Sequence, residues 1–170
     1  MVSDAEELLD GDPVEVAVAN ASRKALAVAG TTASLVSHTE AKDAVVVGVD
    51  TVVTLDGALY GKPADVGEAR ATLERLAGRT HEVVSGIAVV EGGATRTASA
   101  TTRVSFRALD PVTLDWYLAT EEWRERAGGY AIQGRGAALV AGIEGDYLNV
   151  VGLPVQALLS LLPGILHVPS

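Results

Sequence analysis

Residues 44–60 read AVVVGVDTVVTLDGALY, and the organisation of the chain follows from them. Ala44 to Val49 are apolar throughout and largely β-branched, as expected of a strand covered on both faces, and the run ends on a lone carboxylate, Asp50. Thr51 to Leu55, the Asp56-Gly57 pair and Ala58 to Tyr60 then predict a small hairpin.

Upstream, Asp12 caps a helix with Pro13 at its first position and Glu15 completing a capping-box-like pair, and Gly30 is expected to end it. Downstream, Asp65 and Glu68 open a second helix on which Val66, Ala69, Leu73 and Leu76 recur at helical spacing, with Gly78 at the C-cap. His81 to Val90 and Thr95 to Phe106 predict strands joined by Gly92-Gly93. Asp110-Pro111 opens a helix through about Ala119, a strand follows near Ala137 to Ile143, and Pro154 starts a Leu-rich C-terminal helix. Helices and strands alternate around at least one antiparallel hairpin, which predicts an α/β fold: a mixed, twisted sheet with parallel and antiparallel strands, flanked by helices.

The length of 170 residues predicts one domain, with no repeat or linker to divide it. Hydrophobic residues make up 48 % and aromatics only 4 %, so the core must be built from Ala, Val and Leu. A net charge of −9 argues against general nucleic-acid binding, which needs a basic stripe. Without cysteine there is no disulfide, thiolate metal site or cysteine nucleophile. His38, His81 and His167 are too scattered for a histidine metal site. Apolar runs fall far short of a membrane span and the acidic N-terminus is unlike a signal peptide, so a soluble, cytoplasmic chain is expected, with no membrane partner. Lysine is scarce: Lys24, Lys42 and Lys62 stand among 13 basic residues, as in a GC-rich or salt-adapted genome, so a lysine in an unusual place is informative.

Asp50 is the leading candidate for chemistry, because a carboxylate at the end of a buried strand lies where α/β sheets place ligands, and no helix follows for it to cap. Lys24 shares a helix face with Ala17, Ala21 and Val28, where a lysine either snorkels outward or reaches an internal anion. Lys62, between Gly61 and Pro63, is suited to holding an amine at a fixed point, although turn lysines are usually just solvated. Gln133, flanked by Ile132 and Gly134, carries an amide that can read a nucleobase edge. The turn-rich segment Glu144 to Pro154 has a structural default reading. No Walker A, dinucleotide fingerprint or nucleophile elbow is present. Acid, lysine and amide without a protein nucleophile suit metal-assisted hydrolysis of an anionic substrate.

Six segments in this order, Val49 to Val53, Gly61-Lys62-Pro63, Leu76 to His81, Val104 to Arg107, Ala127 to Gly134 and Glu144 to Pro154, resemble the Maf family of nucleoside triphosphate pyrophosphatases, whose fold is Maf/ITPase-like. The resemblance covers nearly the whole chain. It implies metal-dependent cleavage between the α and β phosphates, giving a monophosphate and pyrophosphate, with Mg²⁺ or Mn²⁺ as cofactor and a homodimer as the assembly. By position it implies Asp50 as proton acceptor and metal ligand, Lys24 and Lys62 as phosphate contacts, Thr51 and Gln133 as base-choosing residues, and Glu7 as an acidic position near the metal. Ile132-Gln133-Gly134 resembles the branch acting on dTTP and UTP. Family members begin with a strand and a Ser- and Arg-rich turn that touches the triphosphate, and Met1 falls after that point, so a Maf-like domain shortened at its N-terminus is expected. The alternative is a nucleotide-binding protein with impaired catalysis. A structural role in cell division has no support in the residues.

Overall fold

A computed structural model describes Leu8 and residues 10–35 and 44–166. The chain is α/β, with a five-stranded sheet in the order β2-β1-β3-β4-β5. The elements are α1 (Pro13–Leu35), β1 (Val45–Leu55), β2 (Ala58–Tyr60), α2 (Val66–Leu76), β3 (Thr80–Glu91), β4 (Ala94–Phe106), α3 (Pro111–Leu118), β5 (Val140–Glu144), α4 (Tyr147–Val151) and α5 (Val155–Leu161). Short 3₁₀ segments occupy Ala127–Gly129 and Arg135–Leu139. β1 pairs with β2, and β4 with β5, antiparallel. The parallel component expected from the sequence is not among these described pairings.

Two compact units divide the residues: Met1–Asp50, Ser85–Ala100 and Gly152–Ser170 in the first, Thr51–Val84 and Thr101–Val151 in the second. In the first, the sheet residues alternate between two helices. Ala88 and Val90, with Val46 beside them, pack on Ala21 and Ala25 of α1, while Ile87, Val89 and Val49 meet Leu158, Leu161 and Leu162 at α5. Gly48 and Gly86 lie on the α1 side, where the helix backbone comes so close that a Cβ on Gly48 would sit 2.2 Å from the Ala21 carbonyl oxygen.

The second unit has its own core, in which Val53 and Leu55 of β1 and Leu73 and Leu76 of α2 join Leu114, Tyr117, Tyr130 and Leu139. The Asp65 carboxylate accepts from the Glu68 N–H at 2.8 Å, and the Glu68 carboxylate reaches back to the Ala64 N–H, so the expected capping box forms one residue wider than its usual span. Asp110 caps α3 through the Thr113 N–H at 2.7 Å. Gly92 and Gly93 take φ values of +57° and +82°, which closes the β3–β4 connection as the two-residue hairpin read from the sequence.

Several boundaries differ from expectation. α1 runs through Gly30 to Leu35, because a glycine ends a helix by turning left-handed and Gly30 does not. β1 does not stop at Asp50 but continues unbroken to Leu55. Val45 and Val47 are exposed, since the short α5 covers Val49 and not the start of the strand. Val66 is also exposed, leaving Ala69, Leu73 and Leu76 as the buried face of α2. Ala137 to Leu139 coil as 3₁₀, so β5 begins only at Val140. The segment before Pro154 holds the short helix α4, which the sequence reading missed. There Asn149 is fully buried and donates to the Val83 carbonyl and Thr102 Oγ1, each at 3.0 Å, so the default structural reading of that segment holds.

His81 is a core residue. Its Nε2 and the Tyr130 hydroxyl share a hydrogen bond of 2.9 Å, the ring stands edge-on to Phe106 and Tyr130, and Nδ1 has no partner among the described residues. Burial lowers its pKa from 6.5 to about 4 and raises that of Tyr130. The unfolded chain therefore takes up a proton near pH 6.5 that the folded chain refuses until about pH 4. Stability is complete above the unfolded pKa and is lost as pH falls through that window, by up to about 3 kcal/mol at ~1.4 kcal/mol per unit. Urea midpoints measured from pH 7.5 to 4 should show this slope, and His81→Phe should flatten it.

Candidate active site

β1 carries Asp50 in mid-strand with its side chain on the α1 face, alternating with Gly48. Asp12 starts α1 by accepting from the Val14 and Glu15 N–H groups at 3.0 and 3.1 Å, and the small residues Ala17, Ala21 and Ala25 let the helix lie flat on the strand. Asn20 and Lys24, one turn apart on that face, are thereby delivered to the same carboxylate. Lys24 Nζ lies 2.5 Å from Asp50 Oδ1, and Asn20 Nδ2 donates to Oδ2 at 3.0 Å. The carboxylate is 4 % exposed and the lysine 20 %, so Lys24 does not snorkel outward: it answers a buried anion that would otherwise be costly.

Asn20 is itself nearly inaccessible. Its Oδ1 accepts from the Leu8 N–H at 2.8 Å and its second Nδ2 proton goes to the Leu8 carbonyl at 3.0 Å, so both amide protons are used and the group is fixed. A carboxylate has about four acceptor positions. With one turned to Lys24 and one to Asn20, Asp50 is oriented while keeping capacity for another donor.

The second unit holds Lys62 and Gln133, on two turns that touch through glycine. Lys62 is exposed between β2 and α2. The Gly128 N–H donates to the Gly61 carbonyl at 3.0 Å, and Gly128 (φ +68°) fits against Val53 where a Cβ would be 2.8 Å from Cγ2. Beyond it, Ala131 and Ile132 are buried and Gln133 is exposed at the tip. The Tyr117 hydroxyl accepts from the Ala131 N–H at 3.0 Å, and burial raises the pKa of this phenol to about 12, keeping it neutral. Thr51 follows Asp50 in β1 and is half-buried, and alternation along the strand turns its side chain to the face opposite that of Asp50. Glu7 lies outside the described residues.

The model of the Maf family, described as Maf-like protein, matches residues 1–165. This chain belongs to the Maf family. Among relatives of this Maf chain, a dTTP/UTP pyrophosphatase of Pyrococcus furiosus is 43 % identical over 159 residues, covering 92 % of this chain and 78 % of the relative. One of Bacillus cytotoxicus is 42 % identical over 160 residues, covering 93 % and 79 %. One of Moorella thermoacetica is 50 % identical over 122 residues, covering 71 % and 63 %.

For a Maf chain, the donor set at Asp50 limits what metal fits. No group of three or more His, Asp or Glu gathers among the described residues. Asp50, a lone buried carboxylate among the described residues, suits a hard cation such as Mg²⁺ or Mn²⁺ when phosphates and water complete its shell, and not a softer metal that needs several His or Cys ligands. Asn20 is the site residue that sequence reading missed. Its signal was available: a polar side chain one helical turn before Lys24, on the face otherwise occupied by alanines. No helix in the described residues is long and apolar enough to cross a membrane.

Proposed function

We propose that this Maf protein hydrolyses dTTP and UTP between the α and β phosphates, releasing the nucleoside monophosphate and pyrophosphate. The observation that carries the reading is the buried Lys24–Asp50–Asn20 cluster in a chain of this family. Asp50 orients water and accepts its proton, while Lys24 and Lys62 take the charge that develops on the departing pyrophosphate. Gln133 and Thr51 select the base. Asp50, with Glu7 as a second carboxylate, would hold Mg²⁺ or Mn²⁺. The cation supplies charge neutralisation and a more acidic water.

The whole chain is read as one Maf-like domain whose sheet includes parallel pairing, assembled as a homodimer in the cytoplasm. The fixing of the buried Asp50 carboxylate by Lys24 and Asn20, with acceptor capacity to spare, supports catalysis over the nucleotide-binding alternative, since a passive binding site gains nothing from an oriented buried carboxylate. A panel of nucleoside triphosphates with Mg²⁺, Mn²⁺ or chelator, read by pyrophosphate release, tests this. The expected result is turnover of dTTP and UTP above purine nucleotides and none with chelator. Tight dTTP binding with no pyrophosphate released would instead establish the binding protein.

A further inference from the structure

We infer that Glu122 is a specificity-positioning residue, which sets the base preference of the Gln133 turn through the backbone of Gly134 and Arg135. The inference rests on the dTTP/UTP reading above. Glu122 Oε2 accepts from the Arg135 N–H at 2.6 Å. The same oxygen lies where a side chain on Gly134 would start, 2.3 Å from an ideal Cβ. The carboxylate is thus lodged against the residue next to Gln133.

Its own placement is fixed. The Glu122 N–H donates to Thr120 Oγ1 at 3.1 Å, and that hydroxyl donates to the Tyr117 carbonyl at 2.6 Å. The adjoining Trp123 is buried, with Nε1 on the Leu118 carbonyl at 3.2 Å. Tyr117 meanwhile receives the Ala131 N–H. The turn is therefore held at its start by Tyr117 and at its end by Glu122, and between them the Gly134 N–H closes onto the Ala131 carbonyl at 3.1 Å. A planar amide reads a base edge only when its plane is aimed, and here the aim comes from backbone that Glu122 anchors.

A purely structural role is distinct and has its own signature. Gly134 has no side-chain oxygen to cap the 3₁₀ segment after it, and Glu122 supplies one. Removing only a cap lowers stability without touching discrimination. The test is kcat and KM for dTTP, UTP and dGTP in wild type, Glu122→Ala, Glu122→Gln, Gly134→Ala and the double variant Glu122→Ala/Gly134→Ala, with melting curves alongside. The ratio of kcat/KM for dTTP over dGTP should fall about tenfold or more in Glu122→Ala, chiefly through KM for dTTP, and stay near wild type in Glu122→Gln, whose amide oxygen still accepts. Gly134→Ala displaces the flexible carboxylate end while leaving its chemistry intact, so it carries the same expectation should Glu122→Ala not fold. The double variant should be no less selective than either single one, because both act on one contact. A Glu122→Ala enzyme that melts lower but keeps the wild-type ratio overturns the inference alone. A wild-type enzyme inactive on both pyrimidine nucleotides overturns the underlying reading with it.

Discussion

Asp50→Asn is expected to fold and to release pyrophosphate from dTTP at least about a hundredfold more slowly than wild type, the loss of order 3 kcal/mol typical of removing one transition-state contact. The substitution keeps size and shape, and Lys24, 20 % exposed, can turn its amine to water, so the fold tolerates it. Chemistry does not, because an amide accepts no proton from water and offers a cation only a neutral oxygen. One of its oxygen and nitrogen positions also presents N–H to either Lys24 or Asn20, both of which donate, so the side chain can satisfy only one neighbour. Steady-state rates beside a melting curve check the claim. An Asp50→Asn enzyme turning over at the wild-type rate removes Asp50 as the proton acceptor.

The sequence made the carboxylate visible for a reason that the structure modifies. Asp50 stood out as the end of an apolar run, yet it lies in the middle of β1, and its burial comes from α1 lying over it rather than from a sheet edge. Local chemistry was legible: the caps at Asp12, Asp65 and Asp110 and the Gly92-Gly93 hairpin are decided within four residues of chain. What was not legible depends on separation. Asn20 meets Asp50 across 30 positions, and nothing in residues 16–24 states which strand they will cover. Gly30 misled for the opposite reason, since its context leaves it helical and its residue type only permits a stop. Lys24 carried two readings because a lysine stem suits either outcome, and only the buried anion opposite decides between them.

That dependence on helix placement leads to the second large effect. Gly48→Ala is expected to cost more than about 3 kcal/mol and to remove activity beyond what the stability loss explains. A Cβ on Gly48 would meet the Ala21 carbonyl oxygen at 2.2 Å, the Ala25 nitrogen at 2.8 Å and the Ala25 Cβ at 2.9 Å. Two of these atoms are backbone, so no rotamer change relieves the contact and α1 must move off the strand as a body. Asp50 is two residues further on the same face, and its bonds to Lys24 and Asn20, 2.5 and 3.0 Å long, do not survive such a shift. Gly86→Ala should act alike, since its Cβ would fall 2.4 Å from the Ala17 carbonyl and the Val18 nitrogen. At about 2–4 °C per kcal/mol for a chain of this size, the melting point should drop by roughly ten degrees. Gly30→Ala, in the same helix with nothing within 4 Å of its Cβ, is the control, and should leave activity intact while stabilising by up to about 1 kcal/mol. If Gly48→Ala melts and turns over like wild type, the backbone contact between α1 and β1 is not what holds Lys24 and Asn20 on Asp50.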